Sequence, residues 1–156
     1  MKVTQPLWFE QDMEPAVRFY TALIPGSSIE WSSAVPADNP SGPAGSVGMM
    51  GFTLGGQRYT AIEAGPLDPF NHSFSVMVEC DDQAEIDRLW DALKAGGKTE
   101  PCGWLRDRWG LSWQIVPGRL AELMRSADPA TAKRVTEAML KMGKFDIAGL
   151  EAAAQS

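Results

Sequence analysis

The fold is decided by residues 102–117, which read Cys102-Gly103-Trp104-Leu105-Arg106-Asp107-Arg108-Trp109-Gly110-Leu111-Ser112-Trp113-Gln114-Ile115-Val116-Pro117. The segment Arg106-Asp107-Arg108-Trp109-Gly110 supplies a polar turn that ends in a glycine, and apolar β-prone residues flank it. The pattern predicts two short strands joined by a tight turn. Successive residues of a strand point to opposite faces, so we expect Gln114 on the face opposite Trp113.

The composition and net charge of the chain restrict the classes of protein to which it can belong. The chain has 156 residues, of which 44% are hydrophobic and 22% charged, and this predicts one folded domain over 1–156. A net charge of −6 without a lysine/arginine cluster argues against nucleic-acid and membrane partners. No apolar run is long enough for a membrane span and no signal-peptide pattern is present, so we expect a cytoplasmic protein. Cys80 and Cys102 fit neither a zinc framework nor a Cys-x-x-Cys pair.

An internal repeat organises the rest of the chain. Asp12, Phe19, Tyr20, Ala22 and Leu23 match Asp82, Leu89, Trp90, Ala92 and Leu93 at a constant offset of 70 residues. Each half reads strand, helix and three strands, which indicates a duplicated supersecondary unit. We expect a first module over 1–64, a second over 71–117 and a C-terminal helical extension over 118–156. Two such modules usually combine their sheets, because one alone leaves an apolar face uncovered.

Local signals predict where the helices begin. Asp12 and one of the pair Asp81 and Asp82 are placed to cap the two module helices, since an N-cap aspartate can accept a backbone N–H. Asp128 followed by Pro129 predicts the start of a helix in the extension. Asp146 is placed to cap a final short helix that we expect to end at Leu150.

The closing hairpin resembles that of the vicinal-oxygen-chelate superfamily of glyoxalases, ring-cleaving dioxygenases and antibiotic-resistance proteins. More narrowly, it is similar to the PhnB-like, demethylubiquinone-methyltransferase-like branch. The similarity extends over nearly the whole chain and includes Leu7–Phe9, Phe19–Ser27, Leu54–Gln57, Gly65–Pro66, Glu79–Leu93 and Met142–Ile147. The resemblance implies an α+β fold in which two βαβββ modules form a curved mixed sheet around a pocket. We also expect a homodimer, because module edges and a Met/Ala-rich tail leave apolar surface to cover.

The resemblance further implies a metal site, since relatives hold a divalent ion with His, Gln and Glu side chains on four strands. The matching positions are Gln5, Glu63, His72 and Gln114, which makes a divalent metal the candidate cofactor. Gln114 stands where metal-binding relatives usually carry glutamate, and neutral amides are weak ligands for transition metals. The strand register leaves alternatives open, because aligning Trp113 with Tyr59 turns Glu63 to the opposite face. A shift of one residue at His72 would likewise leave Ser73 and Ser75 facing the cavity.

Each candidate also has a purely structural interpretation. His72 is the only histidine, and an exposed or hydrogen-bonded histidine near a strand start is commoner than a ligand. Glu63 fits a solvated strand-end carboxylate. Gln114, within an apolar strand, either belongs to a structural hydrogen-bond network or contacts a ligand. The tryptophans are core residues by default, although a cup-shaped sheet needs large apolar walls.

Two functions remain compatible with the sequence, and whether the protein is an enzyme stays undecided at this level. The first is a small-molecule-binding protein without a tightly bound metal, with Gln5, Trp8, His72, Trp104, Trp113 and Gln114 as ligand-binding residues. The second is a metal-dependent lyase, isomerase or dioxygenase that acts on a small oxygen-bearing metabolite. The sequence contains no Gly-x-Gly-x-x-Gly turn, which argues against an S-adenosylmethionine methyltransferase of Rossmann type.

Overall fold

The computed structural model describes residues 1–125 and 128–155 and divides the chain into two compact units. The first unit is Met1–Asp68, and the second begins at Pro69. No helix within the described ranges is long and apolar enough to cross a bilayer.

The first unit is a βαβββ module. Its elements are β1 (Gln5–Phe9), α1 (Met13–Leu23), β2 (Ser28–Ala34), β3 (Gly48–Leu54) and β4 (Gln57–Glu63). The four strands form a mixed sheet in the order β1-β4-β3-β2, in which β1 and β4 are parallel and the other pairs antiparallel. The core of this unit includes Leu7, Phe52 and Ala61 on the sheet and Val17 and Tyr20 on α1, all of which are buried.

The second unit repeats this order. Its elements are β5 (Val76–Cys80), α2 (Gln83–Lys94), β6 (Lys98–Thr99), β7 (Trp104–Arg106) and β8 (Ser112–Pro117). The strand order β5-β8-β7-β6, with β5 parallel to β8, is the counterpart of the order in the first sheet. The helices α1 and α2 begin 70 residues apart, which confirms the duplication and the α+β fold of two βαβββ modules.

Three helices follow β8 within the second unit. They are α3 (Leu120–Met124), α4 (Pro129–Met139) and α5 (Ile147–Gln155). The start of α4 is as predicted, because the Asp128 carboxylate accepts the N–H groups of Ala130 and Thr131. The predicted end of the last helix at Leu150 is wrong, since α5 continues to Gln155. The Gln83 side chain accepts the Ile147 N–H and donates to the Phe145 carbonyl, which ties the start of α5 to α2.

The two module helices begin differently. Asp82 caps α2 as predicted, because its carboxylate accepts the Glu85 N–H at 2.9 Å. The prediction that Asp12 caps α1 is wrong, since Asp12 has a left-handed φ of 62° and its side chain makes no capping hydrogen bond. The Met13 N–H at the start of α1 instead donates to Oε2 of Glu63 at 2.8 Å. The N–H groups of the first helical turn have no acceptor within the helix, and a carboxylate at the end of β4 accepts one of them.

Candidate functional site

The closing hairpin is built around one buried carboxylate. Asp107, only 4% exposed, accepts the backbone N–H groups of Trp109 and Leu111 through Oδ1. Its Oδ2 accepts the indole N–H of Trp113 at 2.9 Å. Gly110 completes the turn with a φ of 86°, a conformation that glycine adopts without strain. The Asp-Arg-x-Gly motif therefore has a structural role, because its hydrogen bonds fix the start of β8.

The register of the second sheet then places Gln114 between two apolar side chains. Gln114 pairs with Met77 on β5 and with Trp104 on β7, and directly paired residues project from the same face of a sheet. We call this surface the Gln114 face, and define it by Met77, Trp104, Arg106, Ser112 and Gln114.

The opposite face of the same sheet is core. It carries Leu105, Trp113 and Ile115, each 0% exposed. Trp113, proposed above as a ligand-binding residue, therefore packs the interior of the second unit, and its indole N–H donates to Asp107. This assigns Trp113 to the folding of the hairpin and leaves Trp104 as the tryptophan on the Gln114 face.

Gln114 itself is half-buried and keeps one polar atom available. Its Nε2 donates to Oγ of Ser75 at 2.8 Å, which fixes the orientation of the amide. Its carbonyl oxygen has no hydrogen-bond partner within residues 1–125 and 128–155. A half-buried acceptor without a protein partner is well suited to a ligand donor or to water.

His72 belongs to a network of polar side chains at one end of this face. Its Nδ1 lies 2.9 Å from Oγ of the fully buried Ser112, and its ring lies edge-on to Trp104 with centroids 5.0 Å apart. Its Nε2 lies 2.7 Å from Oε2 of Glu100 and 2.9 Å from Nη2 of Arg106. One ring nitrogen cannot donate to Glu100 and accept from Arg106 at once, so the protonation of His72 decides which neighbour it bonds.

Charge within this network is balanced. Nε of Arg106 lies 3.3 Å from Oε1 of Glu100, so the guanidinium and the carboxylate offset each other. The same Nε is buried and makes no well-aligned hydrogen bond within the described residues. Sequence reasoning missed Glu100, Arg106 and Met77, although it named Ser75 as a residue that could face the cavity. The spacing of two residues between Trp104 and Arg106 on β7 could have indicated that Arg106 shares the face of Trp104.

The remaining predicted residues lie in the first unit. Trp8 is half-buried and donates its indole N–H to the Gly65 carbonyl at 2.9 Å. Gln5 and Glu63 pair with opposite ends of the β1–β4 ladder, at Tyr59 and Phe9 respectively. Four residues of strand separate them by about 13 Å, too far for both to coordinate one ion. Thus Gln5 and Glu63 do not come together, whereas the second unit holds both His72, in the turn before β5, and Gln114, inside β8.

Several of the side chains proposed for a metal already make hydrogen bonds. Oε2 of Glu63 accepts the Met13 N–H, and both ring nitrogens of His72 contact other side chains. The amide nitrogen of Gln114 is bonded to Ser75, and an amide binds metals weakly through its oxygen. The described part of the chain also contains no group of three or more His, Cys, Asp or Glu side chains with metal-binding geometry. Glu63 and His72 would therefore have to give up hydrogen bonds before either could coordinate a divalent ion.

Comparison with known proteins places the chain in a family. Residues 1–116 match the model of the 3-demethylubiquinone-9 3-methyltransferase family. A PhnB protein from Bacillus cereus is 32% identical, with a TM-score of 0.66 over 75% of this chain and 99% of that one. No curated protein matches the chain.

More distant solved structures share the fold alone. A protein from Pseudomonas aeruginosa is 21% identical, with a TM-score of 0.58 over 75% of this chain and 97% of that one. The fosfomycin resistance protein FosX from Listeria monocytogenes, in complex with Mn(II) and sulfate, is 17% identical. Its TM-score is 0.56 over 78% of this chain and 95% of that one. The family match, the PhnB relative and the duplicated βαβββ units together show that this chain belongs to the 3-demethylubiquinone-9 3-methyltransferase family, the PhnB-like branch of the vicinal-oxygen-chelate superfamily.

Proposed function

We propose that this protein binds a small organic molecule on the Gln114 face and does so without a tightly bound metal. One observation carries the proposal, namely the row of Met77, Gln114 and Trp104 across three adjacent strands. Met77 is 53% exposed and Trp104 is partly exposed, so both offer apolar surface on either side of the amide. A few polar groups between apolar walls are typical of small-molecule sites.

The chemistry of this row suggests the kind of ligand. An aromatic or aliphatic body would contact the Trp104 ring and the flexible Met77 side chain. A hydroxyl or N–H group would donate to the free carbonyl oxygen of Gln114. Because Arg106 and Glu100 offset each other, the network at the end of the face favours a polar ligand without a large net charge. Trp8 and Gln5 of the first unit are kept as candidate contacts on the basis of the sequence alone.

Methyl transfer is not part of this proposal, although the family description names that activity. A Rossmann-type S-adenosylmethionine site needs a glycine-rich turn after a strand, and the sequence has no Gly-x-Gly-x-x-Gly. The hairpin glycine, Gly110, serves the Asp107 turn.

The alternative function is a metal-dependent lyase, isomerase or dioxygenase, and the FosX relative was solved with Mn(II). In this chain it would require Glu63 and His72 to exchange their present hydrogen bonds for coordination bonds. Elemental analysis of protein purified without chelators discriminates the two functions. Stoichiometric manganese, nickel, zinc or iron that is lost in His72→Ala would favour the enzyme.

A thermal-shift screen against small phenols and aromatic amides tests the binding function directly. We expect hits that raise the melting temperature of the wild-type protein, and we expect Gln114→Leu to abolish those shifts while preserving side-chain volume. Trp104→Ala should weaken binding, whereas Leu67→Ala removes an exposed apolar side chain of the first unit and serves as the control. Hits that stabilise Gln114→Leu and Trp104→Ala as well as the wild type would overturn the proposal.

We also propose that the protein is a homodimer in solution. The edge strand β2 supports this, because six of its seven residues are exposed and Trp31 is 43% exposed. An exposed edge strand offers unpaired backbone groups to a second chain. Light scattering should give twice the monomer mass, and Trp31→Lys should shift the protein toward monomer, while Leu67→Lys at another exposed position should not.

A further inference from the structure

A cleft in the second unit is built partly by residues outside the family match. The cleft has a volume of about 520 Å³ and is lined by Trp90 of α2, by residues 99–101 and by residues 140–144. The match to the family model ends at residue 116, so the wall formed by residues 140–144 is a feature of the C-terminal extension. The volume lies within the range of about 300–1,000 Å³ that is typical of small-molecule sites.

The cleft walls combine apolar surface with positive charge. Leu140, which is 61% exposed, and Met142 provide apolar side chains, and Trp90, which is only 5% exposed, adds a small apolar edge. Lys141 and Lys144 provide the cations. An exposed leucine next to a tryptophan and a methionine leaves apolar surface that a ligand could cover.

The charges around the cleft are not all neutralised. Lys144 pairs with Asp87, and the Glu100 carboxylate is held by Arg106 and His72. The Lys141 ammonium makes no ion pair or hydrogen bond with any residue that the structure describes. One unpaired positive charge therefore remains beside an apolar wall.

We propose that this cleft binds a small organic monoanion with an apolar body, such as an aromatic or medium-chain carboxylate or sulfonate. The anionic group pairs with Lys141, and the body packs against Leu140, Met142 and the edge of Trp90. The cleft adjoins the end of the Gln114 face through Glu100, but its proposed ligand contacts Lys141 and Leu140, and the proposal does not depend on the function proposed for that face.

Fluorescence titration with 1-anilinonaphthalene-8-sulfonate tests the site, since this monoanionic probe brightens in apolar surroundings. We expect saturable binding that Lys141→Glu weakens roughly tenfold, the ratio that a loss of about 1.4 kcal/mol produces. Leu140→Asp should weaken it further by removing apolar contact. The matched controls are Lys2→Glu and Leu67→Asp, at exposed positions of the first unit, and both should bind the probe like the wild type.

Two further measurements make the outcome decisive. The uncharged analogue N-phenyl-1-naphthylamine should bind at least tenfold more weakly than the anionic probe, and Gln114→Leu should leave anionic-probe binding unchanged. Equal binding of both probes, or equal loss in Lys141→Glu and Lys2→Glu, would overturn the proposal. Loss of probe binding in Gln114→Leu would also overturn it, because the probe would then occupy the Gln114 face. The altered side chains at 140 and 141 are exposed, and an unchanged melting temperature verifies that the variants are folded.

Discussion

The indole Nε1 of Trp113 donates a hydrogen bond of 2.9 Å to Oδ2 of Asp107, and both side chains are buried. The other oxygen of this carboxylate accepts two backbone N–H groups of the turn. One side chain thus holds the turn and the strand that carries Gln114 in a fixed relation. The position of Gln114 between Met77 and Trp104 follows from this arrangement.

Replacing Asp107 by alanine should destabilise the protein by about 3 kcal/mol, because three N–H groups lose their acceptor and one of them is the buried indole. Asp107→Asn should cost less, since the amide oxygen still accepts one or two of these bonds. Urea unfolding of both variants measures the difference. A loss below about 1 kcal/mol for Asp107→Ala would show that water replaces the carboxylate.

Removing the Glu63 side chain should destabilise the first turn of α1, because the Met13 N–H loses its acceptor. Glu63→Ala should lower the free energy of unfolding by about 1–2 kcal/mol, the effect of losing a helix cap. Glu63→Gln keeps an oxygen acceptor and should lose less than half as much. Asp12→Asn is the control and should have little effect, because the Asp12 side chain makes no capping bond and asparagine tolerates the same left-handed conformation. Equal effects of Glu63→Ala and Asp12→Asn in urea unfolding would contradict the assignment.

Two glycines of the second unit should respond very differently to alanine. A Cβ on Gly97 would lie 2.1 Å from the backbone oxygen of Arg106, which cannot move without displacing β7. A Cβ on Gly118 would lie 3.6 Å from the Cys80 oxygen, an ordinary contact. We expect Gly97→Ala to destabilise the protein by about 3 kcal/mol or more and Gly118→Ala by less than about 1 kcal/mol. Thermal unfolding monitored by circular dichroism measures both, and similar melting temperatures would contradict the contact at Gly97.

Low pH should weaken the ion pair between Asp87 of α2 and Lys144, which holds the segment before α5 against α2. The hydrogen bond from Lys144 lowers the pKa of Asp87 below its ordinary range, and a second bond from Gln83 adds to this effect. A carboxyl group with a lowered pKa in the folded state adds stability above its unfolded pKa, near about 4, and this stability is lost as the pH falls through the lower folded value. Asp87→Asn should therefore destabilise the protein at pH 7 and flatten the acid side of the stability profile below about pH 4. An unchanged acid slope in Asp87→Asn would contradict the prediction.

The Cys80 thiol should be unreactive in the folded protein. Burial raises its pKa to about 11, and the nearby Glu85 carboxylate adds to the increase. At pH 8 the thiolate fraction is therefore about one in a thousand, so iodoacetamide should label Cys80 slowly in buffer and rapidly in urea. Since the folded state retains this proton longer, stability should fall as the pH rises from about 8.5 toward 11. Mass spectrometry of alkylated peptides checks the labelling, and equal rates with and without urea would contradict it.

Local sequence signals predicted a large part of the fold. Asp128 and the pair Asp81 and Asp82 could be named as capping candidates because an N-cap bond joins residues two or three positions apart, and the structure selects Asp82 from the pair. The alternation along 112–117 placed Gln114 and Trp113 on opposite faces, in agreement with the register of β8. The offset between the two halves predicted two units of the same strand order.

Contacts between distant residues could not be predicted in this way. The prediction for Asp12 failed because Glu63, 50 residues away from Met13, supplies the acceptor in its place. The partners of His72 lie 28 to 40 residues further along the chain, at Glu100, Arg106 and Ser112. Glu100 stands in no motif, and only the pairing of β6 with β7 brings it beside Arg106.

The hydrogen bond between Glu63 and the Met13 N–H limits what else the Glu63 carboxylate can do. In this chain its capping of α1 makes a group that could serve chemistry part of the folding of the first unit. A lineage that recruited Glu63 to a new catalytic task would first have to evolve another acceptor for the Met13 N–H.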